Sequence, residues 1–134
     1  MSSDKCYLCL RISEEQVIEA VKLLFPKNEQ KKVLNIIHSA INQAYKNEPS
    51  FFCGKKAKRI LGGLIHLIAL VNYPEHKITQ KDILKAINCS KYTIREGLYD
   101  WKWLIYTEKV KIPELKINLS ALKEELSHVS TRRI

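Results

Sequence analysis

The chain has 134 residues, 46% of them hydrophobic, with only four Gly and four Pro. That is one domain's worth of sequence, able to bury a core and expected to be globular and rich in helix. A formal net charge of +9 and a pI near 9.4 point to an anionic partner.

Charge is unevenly spread. Lys and Arg outnumber Asp and Glu by seven to six over residues 1–50, ten to four over 51–105, and six to four over 106–134. The N-terminus is polar, and no small-residue cleavage site follows an apolar run. The longest apolar run, Ile60 to Val71, contains His66 and is too short to span a bilayer. A cytoplasmic, unsecreted protein with reduced thiols and no membrane contact is expected.

Residues 1–12 are a short lead-in. Cys6 and Cys9 have the spacing of half a zinc site, but Cys53, Cys89, His38 and His66 are single and scattered, so neither a metal nor a cofactor is expected. A disulfide, or two small buried side chains, is the other reading of that pair. The first helix is predicted from Ser13, with Gln16 completing a capping box and Val17, Val21, Leu24 and Phe25 facing inward until Pro26. The second runs from Asn28 to Asn47, burying Val33, Ile36, Ile37, Ala40, Ile41 and Ala44. His38 lies off that stripe and reads as a surface residue.

The third helix, Lys55 to Tyr73, is apolar almost all round and must be surrounded by others. Gly62 and Gly63 in its middle each cost roughly 1 kcal/mol of helix stability relative to alanine. The compensation is close approach of a neighbouring backbone. At its start Lys55, Lys56, Lys58 and Arg59 cluster where the helix dipole disfavours positive charge, which favours a role in contacting phosphate over a plain solvated turn.

Thr79 to Leu104 reads as two helices joined by a tight turn. Thr79 caps the first, with Asp82 completing a capping box, and Ile83, Leu84 and Ile87 form its stripe. Asn88, which tolerates a left-handed conformation, breaks the helix, and Ser90 caps the next. Ile94, Leu98 and Trp101 face inward there. Apolar residues at Ile83, Ile87, Cys89 and Ile94 fit the positions that lock a helix-turn-helix.

Beyond it, Tyr106 to Leu115 reads as an extended arm or short edge strand interrupted by Pro113. Leu119, Leu122, Leu126 and Val129 mark a last helix. That helix either packs on the domain, the favoured reading, or pairs with a second copy as a homodimer.

The order of helices, with Gly54-Lys55 before the apolar third, then Thr79-Gln80-Lys81-Asp82-Ile83 and Thr93-Ile94-Arg95, resembles the second cyclin-like repeat of the archaeal and eukaryotic general transcription factor B family. The resemblance covers roughly residues 13–105, which form the domain, with 106–134 as a C-terminal arm and helix. It implies an all-α, five-helix cyclin-like fold whose helices 4 and 5 form a helix-turn-helix. It implies a DNA-binding transcription regulator, of cellular or viral origin, associated with the nucleoid. The TATA-binding protein or RNA polymerase would be protein partners.

Carried over, Tyr92 and Arg95 fall at base-contacting positions, with Lys91 and Thr93 beside them. The chain departs from the family in having one repeat, no zinc ribbon beyond Cys6 and Cys9, no proline just after Gly54, and Glu96 and Gly97 in the reading helix. Gly97 is expected to loosen that helix.

On chemistry alone, Arg95 can donate two hydrogen bonds to guanine, unless it pairs with Glu96 or Asp100. Lys55, Lys56, Lys58, Arg59, Lys81, Lys85 and Lys91 are phosphate-contact candidates on double-stranded DNA, and the resemblance adds Thr93, suited to phosphate or base-edge contact. No Gly-rich phosphate loop, carboxylate pair or nucleophile–base order stands out, so an enzyme is not expected. The alternative function is a cyclin-like adaptor that binds a transcription component or itself.

Overall fold

The apolar run after Ile60 dictates the architecture, because a helix hydrophobic on most sides has to be enclosed. In the computed structural model, which describes residues 14–52, 57–117 and 120–124, this run forms α3 (Ala57–Asn72), with every residue from Ile60 to Ala69 buried. Around it stand α1 (Glu14–Leu24), α2 (Gln30–Asn47), α4 (Gln80–Ile87) and α5 (Lys91–Tyr106). No strand occurs among the described residues, and the chain is all-α. One residue of the run departs from expectation: Leu70 is 48% exposed, so α3 is uncovered on one side near its end.

Glu14 and Glu15 occupy the first turn of α1, and Val17, Ala20 and Val21 are buried. Ser13 lies outside the described residues, and so does the cap predicted there. Pro26 ends the helix. Lys27–Glu29 then form a tight 3-10 turn, so α2 begins at Gln30 instead of Asn28. The Gln30 amide donates to the Phe25 carbonyl at 3.0 Å and holds the corner. All six predicted inward residues of α2 are fully buried.

Two segments between the helices contribute to the core. Phe51, in the short turn Pro49–Phe52, is buried with its ring centroid 5.1 Å from that of Trp101. Tyr73 is buried against Phe25, and its hydroxyl donates to Glu29 at 3.0 Å. Burial, reinforced by that carboxylate, pushes the Tyr73 phenol up to about 12.

The tightest junction is between α3 and α5. A Cβ added to Gly97 would overlap the Arg59 carbonyl oxygen, and one added to Gly63 would overlap the Gly97 backbone. Gly63 and Gly97 are therefore where the two helix backbones touch. Trp101, fully buried, donates its indole N–H to the Ile60 carbonyl at 2.7 Å beside this contact. The expectation that Gly97 loosens its helix is corrected: Gly97 is the notch that seats it. Gly62 makes ordinary contact, its missing Cβ lying 3.4 Å from Ile94 Cγ1.

After α5 the arm folds back onto the bundle. Val110, Ile112 and Leu115 are buried in the same core as the helices. Side-chain amides replace a β-ladder. Gln43 donates to the Lys111 carbonyl at 2.8 Å and accepts from the Lys111 amide at 2.7 Å, while Asn72 does the same for Glu114 and Lys116 at 2.7 and 3.1 Å. Asn47 adds a bond to the Lys109 carbonyl at 2.7 Å. Residues 120–124 are helical and Leu122 is only 3% exposed, so this member of the last apolar stripe packs on its own chain. Leu119, Leu126 and Val129 lie outside the described residues.

Candidate nucleic-acid interface

The candidate reading helix is aimed by local chemistry at its start. Thr79 caps α4 with a full capping box: its hydroxyl accepts from the Asp82 amide at 3.2 Å, and Asp82 accepts from the Thr79 amide at 2.9 Å. Those hydrogen bonds hold the Asp82 carboxyl below its ordinary range. Asn88 ends α4 in the left-handed region at φ 58°, where a short polar side chain is tolerated. Ser90 then caps α5, accepting from the Thr93 amide at 3.2 Å. Ile83 and Ile94 are fully buried and Ile87 nearly so, with Cys89 half-buried beneath the turn. Burial raises the Cys89 thiol above its usual value.

Several sequence-predicted phosphate contacts are occupied within the chain. Arg59 is corrected most clearly. Its Nε and Nη2 donate to the two Asp100 oxygens at 2.7 and 3.1 Å, and Nη1 lies 3.4 Å from Glu96. The Asp100 side chain is only 12% exposed, so this fork is partly desolvated, and the Asp100 bond holds the guanidinium above its ordinary pKa. Arg59 is thus a clamp between α3 and α5. Lys58 donates to the Asn88 carbonyl at 2.8 Å, supporting the turn from behind. The Thr93 hydroxyl sits 2.8 Å from that of Ser90, inside the cap. Lys85 borders an open cleft of about 410 Å³ with Leu23, Leu24 and Asp82, on the side of α4 toward α1. Lys55 and Lys56 lie outside the described residues.

The remainder is a smaller and better defined face. Lys91, Tyr92 and Arg95 are exposed on the first two turns of α5, and Lys81 is exposed on α4. Tyr92 is 75% exposed, more than any other large hydrophobic side chain described. Arg95 has no ion pair among the described residues, since the two acids that might have held it, Glu96 and Asp100, face Arg59. Local spacing could not have revealed that arrangement, because Arg59 and Asp100 are 41 residues apart.

Comparison with protein-family models, curated proteins and solved structures returns no match. The site therefore has to be read from its own geometry. Among the described residues no group of three His, Cys, Asp or Glu side chains could hold a metal ion; Cys6, Cys9 and Cys53 lie outside them. No described helix is long and apolar enough to cross a membrane. His38 sits beside Glu14 at 3.8 Å, half-buried. His66 is buried on α3, and its Nδ1 has no hydrogen-bond partner among the described residues. Desolvation, aided by Lys102, lowers its pKa.

Proposed function

We propose that this chain is a DNA-binding transcription regulator with a cyclin-like five-helix fold, in which α4 and α5 act as a helix-turn-helix. The carrying observation is Arg95, exposed and without an ion pair among the described residues, on the second turn of a helix whose own acids are turned to Arg59. A guanidinium so presented can fork onto guanine O6 and N7, with roughly 1–3 kcal/mol of base discrimination. Tyr92 beside it can pack on a thymine methyl or a sugar, while Lys91 and Lys81 meet phosphates and set register without reading sequence. The same acids, left unclamped, would repel the duplex.

The partner on this reading is double-stranded DNA, which places the protein with the nucleoid. The resemblance to the general transcription factor B family adds the TATA-binding protein or RNA polymerase as further partners. A gel-shift against random duplex DNA at two salt concentrations tests the proposal. Affinity should fall steeply with salt, as counterion release requires. Arg95→Ala should lose sequence preference while retaining salt-dependent binding. Equal binding of wild type and Arg95→Ala to every sequence, or no binding at low salt, would favour the cyclin-like adaptor. For that alternative, Leu122 buried in its own chain argues against a homodimer through this residue.

A further inference from the structure

The seam between α1 and α4 carries features that duplex reading leaves unused. The two helices run antiparallel, because Ala20 lies with Ile87 at the end of α4 and Leu24 lies with Ile78 just before its start. A furrow follows the seam. One part is an open cleft of about 610 Å³ lined on its apolar side by Ala20, Leu61, Ala86 and Ile87; at Ala86 it meets the cleft of about 410 Å³ that contains Leu23. Glu15 and Glu19 stand on its rim, exposed and about one helical turn apart. Neither has an ion pair among the described residues. Like charges at that spacing repel, at a cost to the helix, unless a cation answers them. Lys58, the lysine of the cleft, has its ammonium on the Asn88 carbonyl at 2.8 Å.

A rim of carboxylates repels phosphate, so the furrow is no second surface for nucleic acid. It suits an apolar group flanked by two cations a helical turn apart. The chain itself carries such a group: exposed Tyr92, flanked by exposed Lys91 and Arg95. Lys91 and Arg95 are four residues apart, as are Glu15 and Glu19, which gives roughly 6 Å of rise on either helix. Tyr92 at 75% and Leu23 at 71% are the two most exposed large hydrophobic side chains described, and one belongs to each surface. Tyr92 is too exposed to be filling the furrow of its own chain. The two surfaces are neighbours, since Asn88 lines the cleft and Lys91 opens α5 three residues on. Two copies face to face can therefore each seat Tyr92 in the other, closing the pair about a two-fold axis.

We propose that the acid-rimmed furrow between α1 and α4 receives Lys91, Tyr92 and Arg95 of a second copy, in a reciprocal dimer that covers the candidate reading face. The contact stands apart from the duplex reading; its consequence, that duplex and second copy compete for Arg95, rests on that reading. Each copy carries a net +9, but at roughly 0.15 M salt the screening length is about 8 Å, so distant charges are damped while ion pairs in contact persist.

Analytical ultracentrifugation of the full chain at that ionic strength tests it, over concentrations up to the order of 0.1 mM. Wild type should pass from monomer to dimer as concentration rises, and Tyr92→Ala should weaken the dimer at least about fivefold. Glu15→Lys/Glu19→Lys and Lys91→Glu/Arg95→Glu should each be monomeric, because each sets like charges against like. An equimolar mixture of the two should regain the dimer: one contact is then native and the other has both charges reversed. A wild type that stays monomeric would overturn the proposal without recourse to any variant, leaving the furrow to a basic segment of another protein. So would an undiminished dimer in either charge variant, no recovery in a mixture of the two folded variants, or assembly that runs on past a dimer. Duplex DNA added to the wild-type dimer should convert it to duplex-bound monomer. If the dimer persists with duplex bound, the contact stands and the competition fails; if no duplex binds, the contact stands and the duplex reading fails.

Discussion

The two sides of α5 obey opposite rules. Inward, Gly97 lies against Gly63, Trp101 fills the space beside Ile60, and Leu98 and Leu104 complete a surface with no room for an added methyl group. Outward, Tyr92, Arg95 and Trp103 are exposed. Arg59 is the hinge of the contrast: it crosses from α3 to hold the two acids that would otherwise spoil the outward charge. The lesson is that one helix can be fixed by one face so firmly that the other is free to be chosen for binding.

The sharpest break in that contrast is Gly97→Ala. The new methyl would meet the Arg59 backbone rather than a movable side chain, so the helices must separate. Destabilisation of at least about 3 kcal/mol is expected, measured as a drop in urea midpoint. A wild-type midpoint would show that α3 and α5 do not touch there.

Arg59→Ala comes next. It removes a bidentate pair from a partly buried Asp100 and frees Glu96. A loss of about 2 kcal/mol is expected, together with weaker duplex binding. Arg59→Lys should recover part of the binding, through charge, and little of the stability, because a lysine cannot make the fork. Stability and duplex binding both unchanged in Arg59→Ala would remove its clamping role.

The smallest effect concerns His66, buried on the inward side with its pKa below the ordinary 6.5. The unfolded chain takes up this proton more readily than the fold, so the contribution to stability is complete above pH 6.5. It is lost as pH falls from 6.5 through the lower folded value. Denaturation midpoints between pH 7.5 and 5 should fall less steeply in His66→Leu than in wild type; parallel curves would contradict the assignment.

Much of this helix pair was legible in local sequence. Thr79 with Asp82, left-handed Asn88 and Ser90 are all short-range devices, and each occurs where its spacing places it. The six inward residues of α2 and the burial of Trp101 follow from periodicity for the same reason. What local spacing could not carry is pairing across distance. Arg59 looked available for phosphate because its partner Asp100 lies in another helix, and Gly97 looked like a weakness because the backbone it meets is far away in sequence. The arm was ambiguous between coil and strand because the amides of Gln43, Asn47 and Asn72 hold it, not a neighbouring strand.

The central claim, that the outward face of α5 meets duplex DNA while its inward face holds the fold, is tested most directly by amide shift mapping. Labelled protein titrated with a short duplex should show its largest perturbations at Lys91, Tyr92 and Arg95, with lesser ones at Lys81. The arm from Lys109 to Lys116 should remain unmoved. Perturbations confined to the arm or to α1, or none at low salt, would contradict the claim.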